Sequence, residues 1–165
     1  MIREAKTADL KQIQSIMRYY VDHTMTNWSE SVLKVRQLKH WLREHQYKNW
    51  PIQVAVNELN QVLGYGCLSD FRKIDGYRRC VENTVYVKPE IKGAGIGGLL
   101  MNALLFQARL AGIKAIIAVI DSENKESIQF HQRYDFYEVC YMKNVGFKHQ
   151  QWRSLIMLQY DVFDV

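Results

Sequence analysis

The stretch from residue 81 to residue 98, VENTVYVKPEIKGAGIGG, constrains the fold more than any other part of the sequence. β-Branched and aromatic residues at 84–87 predict a strand, and four glycines follow between residues 93 and 98. Apolar residues then recur at three- and four-residue spacing, which predicts a helix over 96–111. A strand, a glycine loop and a helix in this order suit a bound phosphate, because glycines let the backbone come close and the first helical turn offers free N–H groups.

Two familiar phosphate loops compete for this stretch and fit it poorly. A nucleoside-triphosphate loop needs a Lys-Ser or Lys-Thr pair after its last glycine, and neither pair is present. The dinucleotide fingerprint G-x-G-x-x-G is matched by Gly93, Gly95 and Gly98, with Asp121 as an acidic residue after the next strand. However, residues 88–92 separate the strand from the glycines, and too little chain follows Asp121 for the remaining strand–helix units.

A third interpretation starts from the basic residue that opens the loop, Lys92-Gly-Ala-Gly-Ile-Gly97. This segment resembles the R/Q-x-x-G-x-G/A loop with which the GNAT superfamily of N-acetyltransferases binds the pyrophosphate of acetyl-CoA. Four further segments resemble the phosphinothricin and methionine sulfone/sulfoximine acetyltransferase branch of that superfamily: IREAKTADL, SDFRKIDGYRRCVENTVYV, DSENKESIQFHQR and VGFKHQQWRSLIMLQ. Lys92 departs from the family's Arg or Gln.

The periodicity along the chain predicts a single α/β (α+β) domain over residues 1–165. The resemblance implies a GNAT-type fold, with a mixed, mostly antiparallel twisted sheet of about seven strands and helices on both faces. Strands are predicted at 2–5, 52–56, 62–68, 80–87, 115–120, 137–145 and 152–160. Helices are predicted from residue 7 and at 31–47, 96–111 and 124–133.

The resemblance implies acetyl-CoA as co-substrate and no metal. It implies that the backbone of the predicted strand pairs with the pantetheine arm as if that arm were an added strand. It also places Asn124, at the start of the helix that follows the next predicted strand, near the coenzyme sulfur. The predicted coenzyme-binding residues are Val85, Tyr86, Val87, Lys92, Gly93, Ala94, Gly95, Ile96, Gly97, Gly98, Asn124 and Ser127.

Glu82 is the candidate general base, because a carboxylate in a largely apolar strand is costly unless it is paired or functional. An ion pair with a nearby arginine, or plain solvent exposure, would also explain it. The resemblance implies the catalytic role, with direct attack of the amine on the thioester. It also places His131 where an acid would protonate the leaving thiolate. A helix histidine bonded to a neighbour is the alternative for His131.

The resemblance implies a small amino-acid-like amine as substrate, of the phosphinothricin, methionine sulfoximine or methionine sulfone class. An arginine in the pocket would pair with the substrate carboxylate, although both candidate arginines also fit solvated loop charges. The predicted substrate-binding residues are Arg72, Asp75, Gly76, Tyr77, Arg78 and Tyr134. Trp28 fits either core packing or a pocket wall.

Two other functions stay open at this point. One is a GNAT enzyme acting on another amine, such as a polyamine or a protein N-terminus, although the basic residues at 72–79 disfavour polyamines. The other is an acyl-CoA-binding module without catalysis. Glu82 distinguishes an enzyme from a binding module, since a protein that only binds the coenzyme has no need of a base.

The bulk composition narrows the partners. A net charge of +5 without a dense basic run disfavours nucleic acid, and no apolar run reaches the length of a membrane span. Three cysteines without metal-ligand spacing suggest free thiols. With a charged start in place of a signal peptide, we expect a cytoplasmic protein. The resemblance implies a homodimer, and the aromatic residues of the final strands are candidates for its interface.

Overall fold

The computed structural model describes residues 1–163. Its strands are β1 (Ile2–Glu4), β2 (Ile52–Val56), β3 (Val62–Asp70), β4 (Cys80–Val87), β5 (Ala115–Asp121), β6 (Tyr137–Lys148) and β7 (Gln151–Asp161). Its α-helices are α1 (Leu10–His23), α2 (Val35–Tyr47), α3 (Ile96–Leu110) and α4 (Lys125–Gln132). The predicted strand, loop and helix around the glycines are therefore present as β4, the loop at 88–95 and α3.

All seven strands form one sheet in the order β1-β2-β3-β4-β5-β7-β6. Neighbouring strands are antiparallel except for β4 and β5, which run parallel. The prediction of a mixed, mostly antiparallel seven-stranded sheet is confirmed.

The parallel pair β4–β5 separates before either strand ends. Cα partners run only from Cys80↔Ala115 to Glu82↔Ile117, whereas β4 continues to Val87 and β5 to Asp121. A wedge-shaped gap therefore opens in the sheet just beyond Glu82. The backbone of β4 past this point has β3 on one side and no strand on the other.

Two apolar clusters fix the helices to the sheet. One joins α3 and α4 to the sheet through residues such as Leu104, Ile116 and Ile128. The other joins α1 and α2 to it through residues such as Ile13, Leu42 and Tyr65. Since side chains alternate along a strand, Glu82 and Tyr86 face the α1 and α2 side, while Val81 and Asn83 face α3 and α4.

Two predicted boundaries were wrong by three residues or more. Helix α2 begins at Val35 instead of residue 31, because Lys34 has extended backbone dihedrals and its N–H donates to Oε1 of Gln37, which starts the helix there. Strand β6 continues past residue 145 to Lys148, with a register shift between Met142 and Gly146. That irregularity is a bulge, a feature that alternation of residue types alone does not reveal.

Candidate active site

Two connected cavities occupy the gap between β4 and β5. The inner cavity has a volume of about 420 Å³ and is lined by residues including Glu82, Trp28 and Asp121. The loop cavity has a volume of about 720 Å³ and is lined by the glycine loop, the first turn of α3 and the exposed side of α4. Thr26, Val85, Tyr86, Asn124 and Ser127 line both.

The glycine loop has the geometry of an anion site. Gly93 and Gly95 have φ angles of +84° and +78°, which residues with a Cβ rarely adopt. The first-turn N–H groups of α3, from Ile96 to Gly98, have no hydrogen-bond partner among the described residues. Lys92 lines the same cavity, and its ammonium lies 3.6 Å from Oε2 of Glu126. Unpaired N–H groups and a helix dipole together favour a phosphate here.

The loop's other residues divide in their roles. Gly98 has no side chain to block Tyr134, whose hydroxyl lies 2.6 Å from the place of a Cβ at that residue. Tyr134 therefore lines the loop cavity and not the inner cavity, where its predicted substrate role would put it. The N–H of Ala94 donates to the Ile91 carbonyl, and Ala94 does not line the cavity.

The free side of β4 leads from the loop to the inner cavity. Val85, Tyr86 and Val87, which are predicted to pair with an extended ligand, line the loop cavity. The Val87 carbonyl is already used, because the Tyr20 hydroxyl donates to it at 2.7 Å.

Asn124 and Ser127 hold the start of α4 between the two cavities. The Asn124 side chain caps the helix, with its Oδ1 accepting the Ser127 N–H at 3.1 Å. Its amide Nδ2 faces the Thr26 hydroxyl at 3.4 Å. Both residues thus border the passage from the glycine loop to Glu82.

Glu82 lies where the sheet opens, and its carboxyl group has no hydrogen bond or ion pair among the described residues. Burial alone raises the pKa of its carboxyl group above the ordinary value. The expected alternative, an ion pair with a nearby arginine, is absent from residues 1–163. Its strand partner is Ser69, whose hydroxyl faces Nε2 of the buried His45 at 3.2 Å. An unpaired, partly buried carboxylate in a cavity has the environment of a general base.

His131 is buried on α4 and bonded on both ring nitrogens. Its Nδ1 faces the Ser127 carbonyl at 2.8 Å, so Nδ1 carries the proton, and its Nε2 accepts from the Asn83 amide at 3.0 Å. Burial lowers the pKa of His131, while the Ser127 bond opposes that shift. The neutral ring in this tautomer has no proton to give toward the cavities. The geometry is that of the alternative, a helix histidine bonded to its neighbours.

The structure does not bring the predicted substrate loop into either cavity. Residues 72–79 are exposed, and none of them lines the inner cavity. Arg78 donates to the Asp75 carbonyl, and Arg72 lies over the ring of Phe71. Substrate contact by Arg72, Asp75, Gly76, Tyr77 and Arg78 therefore stays a prediction.

Two residues of the cavity wall, Trp28 and Asp121, were not predicted as site residues, and neither was Arg153, which holds Asp121 from behind the wall. Asp121 ends β5, and both of its oxygens accept from Arg153 at 2.7 Å. Trp28 donates to the same carboxylate at 3.1 Å. Burial would raise the pKa of Asp121, but the bonds from Arg153, the Glu123 N–H and Trp28 outweigh it and lower that pKa. From the sequence, Trp28 fits either core packing or a pocket wall, and Asp121 enters only as part of the rejected dinucleotide fingerprint.

The described part of the chain offers little for other site types. Within residues 1–163, no group of three or more His, Cys, Asp or Glu side chains is arranged to hold a metal ion. Within the same range, no helix has the length and apolar character to cross a membrane.

Comparison with protein families gives one matching model, the acetyltransferase (GNAT) family, over residues 13–136. One curated relative is the L-methionine sulfoximine/L-methionine sulfone acetyltransferase of Pseudomonas aeruginosa. The two sequences are 35% identical over 158 residues, which cover 96% of this chain and 92% of the relative.

Two solved structures share the whole architecture. A phosphinothricin acetyltransferase from Sinorhizobium meliloti, in complex with acetyl-CoA, is 31% identical with a TM-score of 0.94, over 98% of this chain and 88% of that one. A ribosomal-protein-alanine N-acetyltransferase from Brucella melitensis is 33% identical with a TM-score of 0.94, over 98% of this chain and 99% of that one.

Proposed function

Because the chain belongs to the acetyltransferase (GNAT) family, we propose that it transfers acetyl from acetyl-CoA to the α-amine of a small amino-acid-like substrate. The substrate class is that of methionine sulfoximine, methionine sulfone and phosphinothricin, on which the relatives from P. aeruginosa and S. meliloti act by name. The observation that carries the proposal is the unpaired Glu82 carboxylate in a cavity that continues into an anion-binding loop.

The residues of the loop cavity fit a coenzyme with a pyrophosphate and an extended arm. The free N–H groups at 96–98 and the Lys92 ammonium suit the pyrophosphate, and the open side of β4 at Val85 and Tyr86 suits the arm. Acetyl-CoA supplies the acetyl group as a thioester when bound there.

Glu82 would act on the amine, which is protonated at neutral pH and must lose a proton before it can attack. The carboxylate accepts that proton directly or through one water, and its raised pKa brings it nearer to the working pH. Direct attack needs no covalent enzyme intermediate, so Glu82 is the only side chain required to carry a proton from the substrate.

His131 would serve as the acid for the leaving thiolate only after a change of protonation. Its Nε2 must gain a proton and give up the bond from Asn83 before it can donate. If it does so, His131→Gln should remove one limb of the pH profile of kcat. An unaltered profile would leave His131 with a structural role.

The substrate carboxylate needs a cation that the inner cavity does not offer. Among the described residues that line this cavity there is no Lys or Arg, and the nearby Arg153 is already paired with Asp121. We therefore assign carboxylate binding to Arg72 or Arg78, brought to the cavity mouth by movement of the 72–79 loop or by a second copy of the chain. Comparing a free amino acid with its amide tests this, since loss of the carboxylate should raise KM in the wild type and not in the double variant R72Q/R78Q.

We also propose a homodimer formed through the outer-strand surface, meaning the exposed faces of β6 and β7. Strand β6 pairs only with β7 among the described residues, so its other edge is open. The surface carries Tyr141, Phe147 and Trp152, the last with 65% of its area exposed. An open apolar edge strand is typical of an interface. Sedimentation of a monomer alone, at the concentration of the assay, would contradict the dimer.

The state of the cysteine thiols supports a proposal for the cellular compartment. Cys67, Cys80 and Cys140 are all free in the structure, and burial raises the pKa of the Cys67 thiol to about 12, which keeps it unreactive. Free thiols suit a reducing compartment, so we propose a cytoplasmic location.

A protein N-terminus is the second candidate substrate, because the B. melitensis structure is named for acetylation of a ribosomal-protein alanine. The inner cavity, however, is bounded by loop 24–33 and α1, which leaves room for a small molecule more readily than for an extended peptide.

The decisive experiment measures free-thiol release from acetyl-CoA with a panel of amines. The panel contains methionine sulfone, methionine sulfoximine, phosphinothricin, spermidine and an alanine-starting peptide. Turnover with the first three supports the proposal, and turnover only with spermidine or the peptide contradicts its substrate class. Tight acetyl-CoA binding with no turnover on any amine would favour a non-catalytic acyl-CoA-binding module.

A further inference from the structure

The segment between α1 and α2 places one large aromatic ring against the inner cavity. Trp28 is half-buried, lines this cavity and does not line the loop cavity. Residues of two strands, β5 and β6, restrain this ring and its backbone in three ways.

The first restraint comes from β5. The indole Nε1–H donates to Oδ2 of Asp121 at 3.1 Å, and Arg153 on β7 fixes that carboxylate through two further bonds. Asp121 is 4% exposed, so its orientation is determined by these partners and not by water. The indole edge is therefore held at a defined position in the cavity wall.

The second feature that positions the ring is a glycine on β6, where the missing side chain leaves space for the indole. A Cβ at Gly146 would lie 2.3 Å from Cε3 and from Cζ3 of the Trp28 ring, far inside van der Waals contact. Gly146 is the strand partner of Arg153 and directly follows the bulge at 143–145. The bulge and the glycine together provide the space that the ring occupies.

The third restraint acts on the backbone next to the ring. The buried Lys148 ammonium donates to the carbonyls of Val21, Thr24 and Asn27, so it fixes the segment from the end of α1 to the residue before Trp28. The Ser29 N–H donates to Oδ1 of Asn27 at 2.9 Å on the other side. Both neighbours of Trp28 are thus anchored, and the ring is preorganised.

We propose that Trp28 is a specificity-determining residue, whose ring limits the length of the substrate side chain, and that Gly146 sets the position of this limit. The proposal rests on the proposed function, since it assumes an amino-acid substrate with its amine near Glu82. The cavity lining also includes the apolar side chains of Met17, Val32, Trp41 and Leu155, so a straight apolar side chain suits this space. Trp28 would contact the substrate, whereas Gly146, Asp121 and Lys148 act through it as positioning residues.

The test compares kcat/KM for a series of straight-chain L-amino acids, from alanine through 2-aminobutyrate and norvaline to norleucine, with methionine sulfone as reference. Gly146→Ala should push the ring into the cavity and reduce the norleucine-to-alanine ratio by at least about tenfold, since single methylenes are discriminated by such factors. Trp28→Ala should raise the same ratio by a similar factor. In the double variant, Gly146→Ala should have no further effect, because the ring that it displaces is gone.

Gly112→Ala is the matched control. Gly112 has a φ of +67° and nothing within 4 Å of an added Cβ, so this variant introduces backbone strain far from the ring. It should lower the melting temperature and leave the ratio unchanged. Circular dichroism confirms that each variant is folded, and if Gly146→Ala alone does not fold, the ratio of Trp28→Ala decides the matter.

Two failures are distinguishable. If the wild type acetylates none of these amino acids, the proposed function fails, and this inference with it. If the wild type acetylates them but Trp28→Ala lowers every kcat/KM equally, with the ratio unchanged, only the inference fails and Trp28 is a structural residue.

Discussion

Two carboxylates face the inner cavity from opposite sides of the same gap, and they differ in almost every respect but location. Glu82 lies on β4 and has no partner among the described residues, and burial raises its pKa. Asp121 lies at the end of β5 and accepts bonds from Arg153, Trp28 and the Glu123 N–H, which together lower its pKa. One carboxylate is free to take up a proton, and the other is committed to holding the wall.

The difference shows that an acidic residue in a cavity is not by itself a catalytic group. Asp121 exposes only 4% of its surface, yet its hydrogen bonds favour the charged form enough to overcome burial. The Glu82 carboxyl group stays unpaired, because the sheet opens beside it and no described residue donates a hydrogen bond to it.

The largest expected effect is on activity at Glu82. Glu82→Gln keeps the shape and removes the base, so kcat/KM for the amine should fall by about 10²–10⁴-fold, with the dissociation constant for acetyl-CoA unchanged. Thiol release and calorimetry measure the two quantities. Glu58→Gln, on the exposed turn after β2, is the matched control and should leave both unaltered. Activity retained in Glu82→Gln would remove Glu82 from the mechanism.

The next largest expected effect is on the stability of the fold, and it concerns the ion pair between Arg153 and Asp121. Arg153→Met leaves Asp121 buried without its main partner and should lower the free energy of unfolding by about 3–5 kcal/mol. Urea denaturation measures it, and Arg36→Met on the exposed side of α2 should change it by about 0.5 kcal/mol or less. Adding Asp121→Leu to Arg153→Met should restore part of the loss. A loss no larger than that of the control would show that the pair does not hold the wall.

A smaller difference concerns the pH dependence of the rate. Because the pKa of Glu82 is raised, kcat/KM should increase with pH through an acid limb centred above the ordinary glutamate value of about 4.3. Asp121→Asn should not move this limb, since Asp121 is already charged throughout that range. A limb that shifts in Asp121→Asn and persists in Glu82→Gln would reverse the assignment of the two carboxylates.

The smallest expected effect is on the pH dependence of stability, to which the two carboxyl groups contribute with opposite signs. The folded state binds the Glu82 proton more tightly than the unfolded chain, so this group lowers the free energy of unfolding as pH rises above its ordinary pKa. Glu82→Gln should therefore be slightly more stable than the wild type at pH 7, with the gain lost in acid. Asp121 stabilises above its ordinary pKa, and this contribution is lost as pH falls through the lowered value. Denaturation at several pH values tests both signs.

Sequence patterns were enough to predict the strand–loop–helix unit, because its signals are local. β-Branched and aromatic residues predicted β4, the glycines predicted the loop, and Asn124 predicted the start of α4, whose cap is formed by that side chain. The same reasoning predicted too early a start for α2. The pattern of apolar residues begins before Lys34, although the backbone is still extended at that residue. It also missed the bulge in β6, where Asn144 has a φ of +53° and Gly146 follows.

The sequence by itself determined the glycine loop with its flanking strand and helix, because their signals lie in residues that are neighbours along the chain. Its resemblance to the GNAT superfamily indicated the family and the type of sheet. Only the tertiary structure decided what each polar side chain faces. Glu82 and Arg78 are four positions apart in sequence and form no ion pair, whereas Trp28, Asp121 and Arg153 are distant in sequence and share hydrogen bonds. A pKa and a cavity wall depend on such distant contacts, since burial and hydrogen bonding are properties of the packed fold and not of a local segment.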